Sequence, residues 1–151
     1  MESSATQASL TGQMHVGVVV RDMEKTMGFL SSAMGIGPWD INERHYPTEQ
    51  VLVGKGPFAY RVAFASLGPI QLELIEVLDG ETIHSEFLKT HGEGLHHIGF
   101  RVPDVDAVVG PLEERGVGVV QSAFREGARY AYMDPAELGG IMLEFVQRAG
   151  E

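Results

Sequence analysis

Residues 15–22, HVGVVVRD, and residues 97–104, HIGFRVPD, follow one pattern: His, a β-branched residue, Gly, an apolar residue, then Asp seven positions after the His. A second pair of stretches matches without a gap. Residues 69–75, PIQLELI, align with residues 140–146, GIMLEFV, which sets Glu73 on Glu144. Between these anchors, Gly35-Ile-Gly37 follows His15 by 20 residues and Gly116-Val-Gly118 follows His97 by 19. Agreement at both ends and in the middle identifies a duplicated unit, the feature that decides the fold.

Each copy reads as βαβββ. Residues 14–20 alternate and are rich in Val, the signature of a strand. Asp22 is placed as an N-cap, and Met23, Met27, Leu30 and Met34 recur at helical spacing until Gly35 and Gly37 end the helix. A long polar stretch with Pro38, Pro47 and Pro57 follows, then two strands over 60–65 and 70–77. In the second copy, 95–102 is a strand, Asp104 a cap, and Val105, Val108, Val109 and Leu112 a helical stripe. Strands are expected over 117–123, 129–133 and 141–147. The reading is therefore α+β, one domain over 14–151: a first module over 14–77, a bridging helix over 81–91 and a second module over 95–147. Residues 1–13 are expected to be a flexible tail.

Strand parity assigns the anchors to one face. Val16, Val18 and Val20, like Ile98, Phe100 and Val102, share the face that packs on the helices, so His15 and His97 point the other way, with Gly17 and Gly99 leaving space beside them. Leu72 and Leu74, like Leu143 and Phe145, face the helices, so Glu73 and Glu144 join the histidines. Carboxylates isolated among apolar strands are costly. A divalent cation removes that cost, and two imidazoles with two carboxylates suit Zn, Ni, Co, Mn or Fe(II).

Composition narrows the alternatives. The chain has 151 residues, 44% of them hydrophobic and 21% charged, which fits one ordinary globular domain. A formal net charge of −10 argues against nucleic acid as a partner. No cysteine is present, so thiol nucleophiles, disulfides and cysteine-ligated metals are excluded. No apolar run reaches the roughly 20 residues a membrane helix needs, and residues 1–12 do not resemble a signal peptide, so the expected location is the cytoplasm.

The stretches MHVGVVVRDMEKTMGFL, MGIGPW, PIQLELIEV, GEGLHHIGFRVPDVDAVV and YAYMDPAELGGIMLEFVQ resemble the vicinal oxygen chelate superfamily, which includes glyoxalase I, methylmalonyl-CoA epimerase, extradiol dioxygenases and bleomycin-resistance proteins. The resemblance spans about residues 14–147. It implies tandem βαβββ modules forming an open U-shaped β cavity around one divalent ion, with His15, Glu73, His97 and Glu144 as ligands. His97 rather than His96 is the ligand because it aligns with His15. A homodimer is also implied.

Within the superfamily, the similarity is greatest to methylmalonyl-CoA epimerases and glyoxalase I-like proteins. The reaction implied is an isomerisation or lyase step in which a proton moves next to a metal-polarised carbonyl, through an enolate. The implied substrate is a small acyl thioester or a 2-oxo or 2-hydroxy compound. Glu144 is the expected proton carrier and Glu73 its partner on the opposite face. Two rival readings are an Fe(II) extradiol-type dioxygenase using His15, His97 and Glu144, against which Glu73 speaks, and a non-catalytic antibiotic-binding protein, which would generally lack the ligands. The chain departs from the epimerases where they carry a second catalytic Glu: residues 59–64, AYRVAF, contain no carboxylate. Arg61 is a candidate for binding a substrate carboxylate or phosphate. His84 and His91, seven apart, read as a solvated helix face, and His96 as a core or locally paired residue. His45, Tyr46, Arg125 and Tyr130 are candidate cavity linings, with ordinary loop roles as the simpler reading.

Overall fold

Both expected caps form. In the computed structural model, which describes Leu10 and residues 12–148, Asp22 accepts a hydrogen bond from the Lys25 amide and Asp104 accepts from Asp106 and Ala107. The first helix, α1 (Met23–Met34), ends at Gly35, whose φ of 70° is the left-handed conformation a C-cap uses. The third, α3 (Val105–Glu114), buries Val105, Val108 and Val109. Between the copies, Thr82 caps α2 (Ile83–Thr90), the bridging helix expected over 81–91. The tail expected over 1–13 lies mostly outside the described residues, but the Gln13 carbonyl accepts from the Arg101 amide at 2.9 Å.

Nine strands of the described residues form one curved, nearly closed sheet, so the α+β reading with paired βαβββ units stands. They are β1 (Met14–Val19), β2 (Asp40–Tyr46), β3 (Val51–Val53), β4 (Phe58–Leu67), β5 (Ile70–Asp79), β6 (Gly94–Arg101), β7 (Val119–Arg125), β8 (Ala128–Met133) and β9 (Leu143–Arg148). Their order is β2-β4-β5-β1-β6-β9-β8-β7-β3. The two first strands, β1 and β6, pair antiparallel at the centre, and each is flanked by the parallel last strand of its own copy. Apart from β3, the order is the same read outward from either side of that seam. The polar stretch after α1 is where the structure adds most: it contains β2, a short 3₁₀ turn over Thr48–Gln50, and β3, which crosses to pair with β7 of the other copy.

Apolar burial divides by face. Met23 and Met27 of α1 pack with Leu72 and Leu74 of β5, and the α3 valines pack with Phe145, Ala131 and Met133. The concave face carries a third cluster rich in tyrosine: Tyr46, Tyr60, Tyr130 and Tyr132, with Phe58, Val62 and Ile75. Edge-to-face ring contacts join Tyr46 to Tyr130 and Tyr130 to Tyr132. A stiff aromatic floor therefore surrounds the place where the central strands present their polar side chains.

Candidate metal centre

Register brings the two copies of the His-x-Gly motif into mutual contact. Across the central seam His15 pairs with Gly99 and Gly17 with His97. A Cβ added to Gly17 would fall 2.0 Å from His97 Cε1, and one added to Gly99 would fall 2.0 Å from His15 Cε1. Each glycine thus clears the space that the histidine of the other copy occupies. The parallel pairings set Gly17 beside Glu73 and Gly99 beside Glu144, which carries the two carboxylates to the same spot.

The four expected side chains converge there. His15 Nε2 lies 2.9 Å from Glu144 Oε1, 3.3 Å from Glu73 Oε1 and 3.2 Å from His97 Nε2. His97 Nε2 lies 3.2 Å from each of the same carboxylate oxygens. All four residues are less than a tenth exposed. Burial opposes the charged imidazoles, but hydrogen bonds to Glu144 and Glu73 outweigh it, raising His15 to about 10 and His97 likewise upward. Burial would raise the carboxylates, but hydrogen bonds from the histidines, His15 first, overcome it; Glu144 falls to about 2 and Glu73 also falls.

Protons alone serve this arrangement poorly, because two protonated imidazoles would then face each other at 3.2 Å. The four atoms form a group able to hold a metal ion. The distances from the two imidazole Nε2 atoms to each other and to the two carboxylate oxygens run from 2.9 to 3.3 Å, about the separation of neighbouring ligand atoms that each lie about 2 Å from one divalent ion. Donor chemistry, charge and spacing all fit such an ion.

A β-bulge sets the next layer. Pairing shifts from Gly17 opposite His97 to Val18 opposite Leu95, so His96 is the extra, unpaired residue. Its ring turns inward with that of His97, and the two Nδ1 atoms are 3.0 Å apart. Burial, reinforced by the charge of His97, lowers His96 to about 3, and with an ion on His97 Nε2 the His97 Nδ1 proton would be donated to His96 Nδ1. That tautomer leaves His97 Nε2 to the centre. Behind it, His84 Nε2 is 2.9 Å from the Tyr132 hydroxyl, and its ring packs on His96 and Tyr60. His84 is 1% exposed, which corrects the expectation of a solvated face; Tyr60 and Tyr132, distant in sequence, cover it. His91 is exposed and stacks on Phe87.

A cavity of about 30 Å³ opens on the other side of the centre, lined by His15, Glu73, Glu144, Tyr46, Tyr130 and Phe64 with four arginines, Arg44, Arg125, Arg129 and Arg148. Tyr46, Arg125 and Tyr130 are therefore where the cavity reading put them, whereas His45 is exposed beside Glu43. Arg61 is absent from this lining; it lies 3.7 Å from Glu24 on α1, at the helix-facing side of β4. Glu73 and Glu144 are the cavity's only carboxylates among the described residues. Cavities of about 350 and 530 Å³ adjoin it, the first sharing Phe64 and Arg148 and the second Arg125 and Arg129. A larger cavity, about 810 Å³, is lined by α2 and reaches His96 but none of the four converging residues. Of these cavities, only the small one is lined by both carboxylates of the converging group.

Known proteins share this architecture. Residues 14–132 match the family described as the glyoxalase/bleomycin resistance protein/dioxygenase superfamily. An uncharacterised Bacillus subtilis protein, YqjC, is 26% identical over 140 residues, covering 91% of this chain and 92% of that one. The mitochondrial methylmalonyl-CoA epimerase of Bos taurus is 26% identical over 137 residues, covering 88% and 72% respectively. Among solved structures, a variant of Streptomyces coelicolor methylmalonyl-CoA epimerase in complex with 2-nitronate-propionyl-CoA superposes with a TM-score of 0.70 at 25% identity, over 94% of this chain and 100% of that one.

Proposed function

We propose that this chain, which belongs to the glyoxalase/bleomycin resistance protein/dioxygenase superfamily, is a divalent-metal-dependent isomerase or lyase that moves a proton on the carbon beside a carbonyl. The observation that carries the reading is the convergence of His15, Glu73, His97 and Glu144 on one point at the end of a lined cavity. The likeness to epimerases supports the isomerase class, and the acyl-CoA analogue bound to one of them supports an acyl thioester as substrate.

A divalent ion in this site would supply Lewis-acid stabilisation of negative charge on the substrate's carbonyl oxygen. The remaining work falls to the chain. Glu144 takes the proton, its carboxylate being ionised and on the cavity wall. Where the reaction inverts the carbon, Glu73, equivalent to it in the other copy and also ionised, first takes up a proton from solvent and then delivers it from the opposite side. Among the described residues no third carboxylate lines the cavity: Glu43, on β2, is exposed and turned to His45. His96 fixes the tautomer of His97. The tyrosine cluster keeps the inner wall dry and rigid, so the two carboxylates hold their spacing during proton transfer.

The test is to load the protein with each candidate metal and incubate it in deuterium oxide with acyl thioesters, methylmalonyl-CoA included, and with 2-oxo and 2-hydroxy acids. One solvent deuteron should enter beside the carbonyl of at least one compound, and a chelator should stop it. A metal-filled protein that exchanges none of them would overturn the reading.

A further inference from the structure

Strand register relates two of the cavity arginines as closely as it relates the metal donors. Glu73 pairs with Phe64 on β4; four residues earlier Tyr60 pairs with Arg44 on β2. In the second copy Glu144 pairs with Tyr132 on β8; four residues earlier Ala128 pairs with Arg125 on β7. Arg44 and Arg125 thus occupy equivalent positions in the two modules, a third duplicated pair beside His15/His97 and Glu73/Glu144.

The chain carries a net charge of −10, yet four of its eight arginines line this one small cavity. Arg129 is held by Asp106 at 2.8 Å, and Arg148 lies 5.9 Å from the Phe64 ring. Arg44 lies 5.6 Å from the centre of the same ring, which stands edge-on to His15. Arg125 lines the cavity together with Tyr46. Among the described residues neither Arg44 nor Arg125 forms an ion pair, and the Nε of each is buried with no hydrogen-bond partner. The two donor carboxylates cannot neutralise them as well, because a divalent ion would already take up that charge. Half-buried guanidinium groups in this state favour an anionic ligand, and their planar forks match carboxylate and phosphate oxygens.

We propose that Arg44 and Arg125 form an anion subsite beside the metal centre, so that the substrate is an acyl compound bearing a carboxylate or phosphate held by this pair. The assignment rests on the proposed function for the meaning of the cavity, but its test needs no turnover. Malonate, inorganic phosphate and the neutral malonamide are titrated calorimetrically into metal-loaded protein, wild type and R44Q/R125Q, with metal content measured in each sample. Wild type should bind an anion and not the diamide; preference for malonate identifies a carboxylate, and preference for phosphate a phosphate group. The double variant should keep its metal and lose about 10- to 100-fold in anion affinity, the usual worth of charge-assisted hydrogen bonds. R125K, which keeps charge and bulk, should lose about 10-fold through loss of the fork and serves where the double variant misfolds. Wild-type anion affinity in these variants at equal metal content would overturn the subsite, as would wild type that binds neither anion. Absence of proton exchange, by contrast, would count against the reaction and leave the binding result standing.

Discussion

Replacing Gly17 by alanine should empty the metal centre without touching a donor. Gly17 does not use a left-handed backbone, so alanine adds a contact and no conformational penalty. That contact is severe: the new Cβ would lie 2.0, 2.4 and 2.5 Å from Cε1, Nε2 and Nδ1 of His97. Reaching ordinary van der Waals separation, about 3.4 Å, requires the ring to withdraw by about 1.4 Å. The His97 side chain is 0% exposed and has no solvent to move into, so the cost in the metal-free protein should be about 1–3 kcal/mol, as for other overpacked cores. Metal bonds tolerate only about 0.2 Å of displacement, so His97 is lost as a ligand. Disturbing a residue behind the ligands already costs about 10- to 100-fold in affinity, and displacing a ligand should cost at least about 100-fold. Competition against a chelator gives the affinity, and circular dichroism checks the fold. Gly28→Ala, whose added Cβ meets nothing within 4 Å, is the control and should bind as wild type. A folded Gly17→Ala protein with wild-type metal affinity would refute the crossed His–Gly packing. Gly99→Ala should repeat the result through His15.

Glu144→Gln should keep much of the metal, since an amide oxygen still coordinates, yet slow deuterium exchange by about 10²–10⁴-fold because an amide accepts no proton at neutral pH; wild-type exchange would make Glu144 a ligand only. Glu73→Gln should be equally damaging to an epimerisation, and mild if one carboxylate both removes and returns the proton. His96→Phe removes the acceptor of the His97 Nδ1 proton and should weaken metal binding about 10- to 100-fold, measured by chelator competition; an unchanged affinity would remove His96 from the account. In the metal-free protein His15, at about 10 against 6.5, carries a proton at pH 7, so metal binding should release protons and weaken as pH falls. Calorimetry in buffers of different ionisation enthalpy reads that release, and none at pH 7 would mean the imidazoles are already neutral.

The residues that make the fold legible are those repeated without gaps. His15, Gly17, Asp22 and Glu73 have partners at His97, Gly99, Asp104 and Glu144, and alternation along those strands places both histidines and both glutamates on one face. What escapes the sequence depends on neighbours that are distant along the chain. β2, DINERHY, lacks apolar alternation because it is an edge strand with mostly exposed side chains. His84 looks solvated from its spacing to His91, because nothing local shows that Tyr60 and Tyr132 close over it. Arg44 and Arg125 are equivalent only through cross-strand register. Arg44 precedes Glu73 by 29 residues and Arg125 precedes Glu144 by 19, the first interval being lengthened by the 3₁₀ turn and β3. His96 is misdirected by simple parity, since only the bulge turns it inward beside His97.

The central claim is that His15, Glu73, His97 and Glu144 together hold one divalent ion, and metal content per chain tests it most directly. Wild type supplied in turn with Zn, Ni, Co, Mn and Fe(II), then freed of excess and analysed by plasma mass spectrometry, should retain about one ion per chain for at least one metal. His97→Ala should lose most of it, because three remaining ligands hold a divalent ion poorly. Wild type that retains none of the five above background, while folded, would contradict the account.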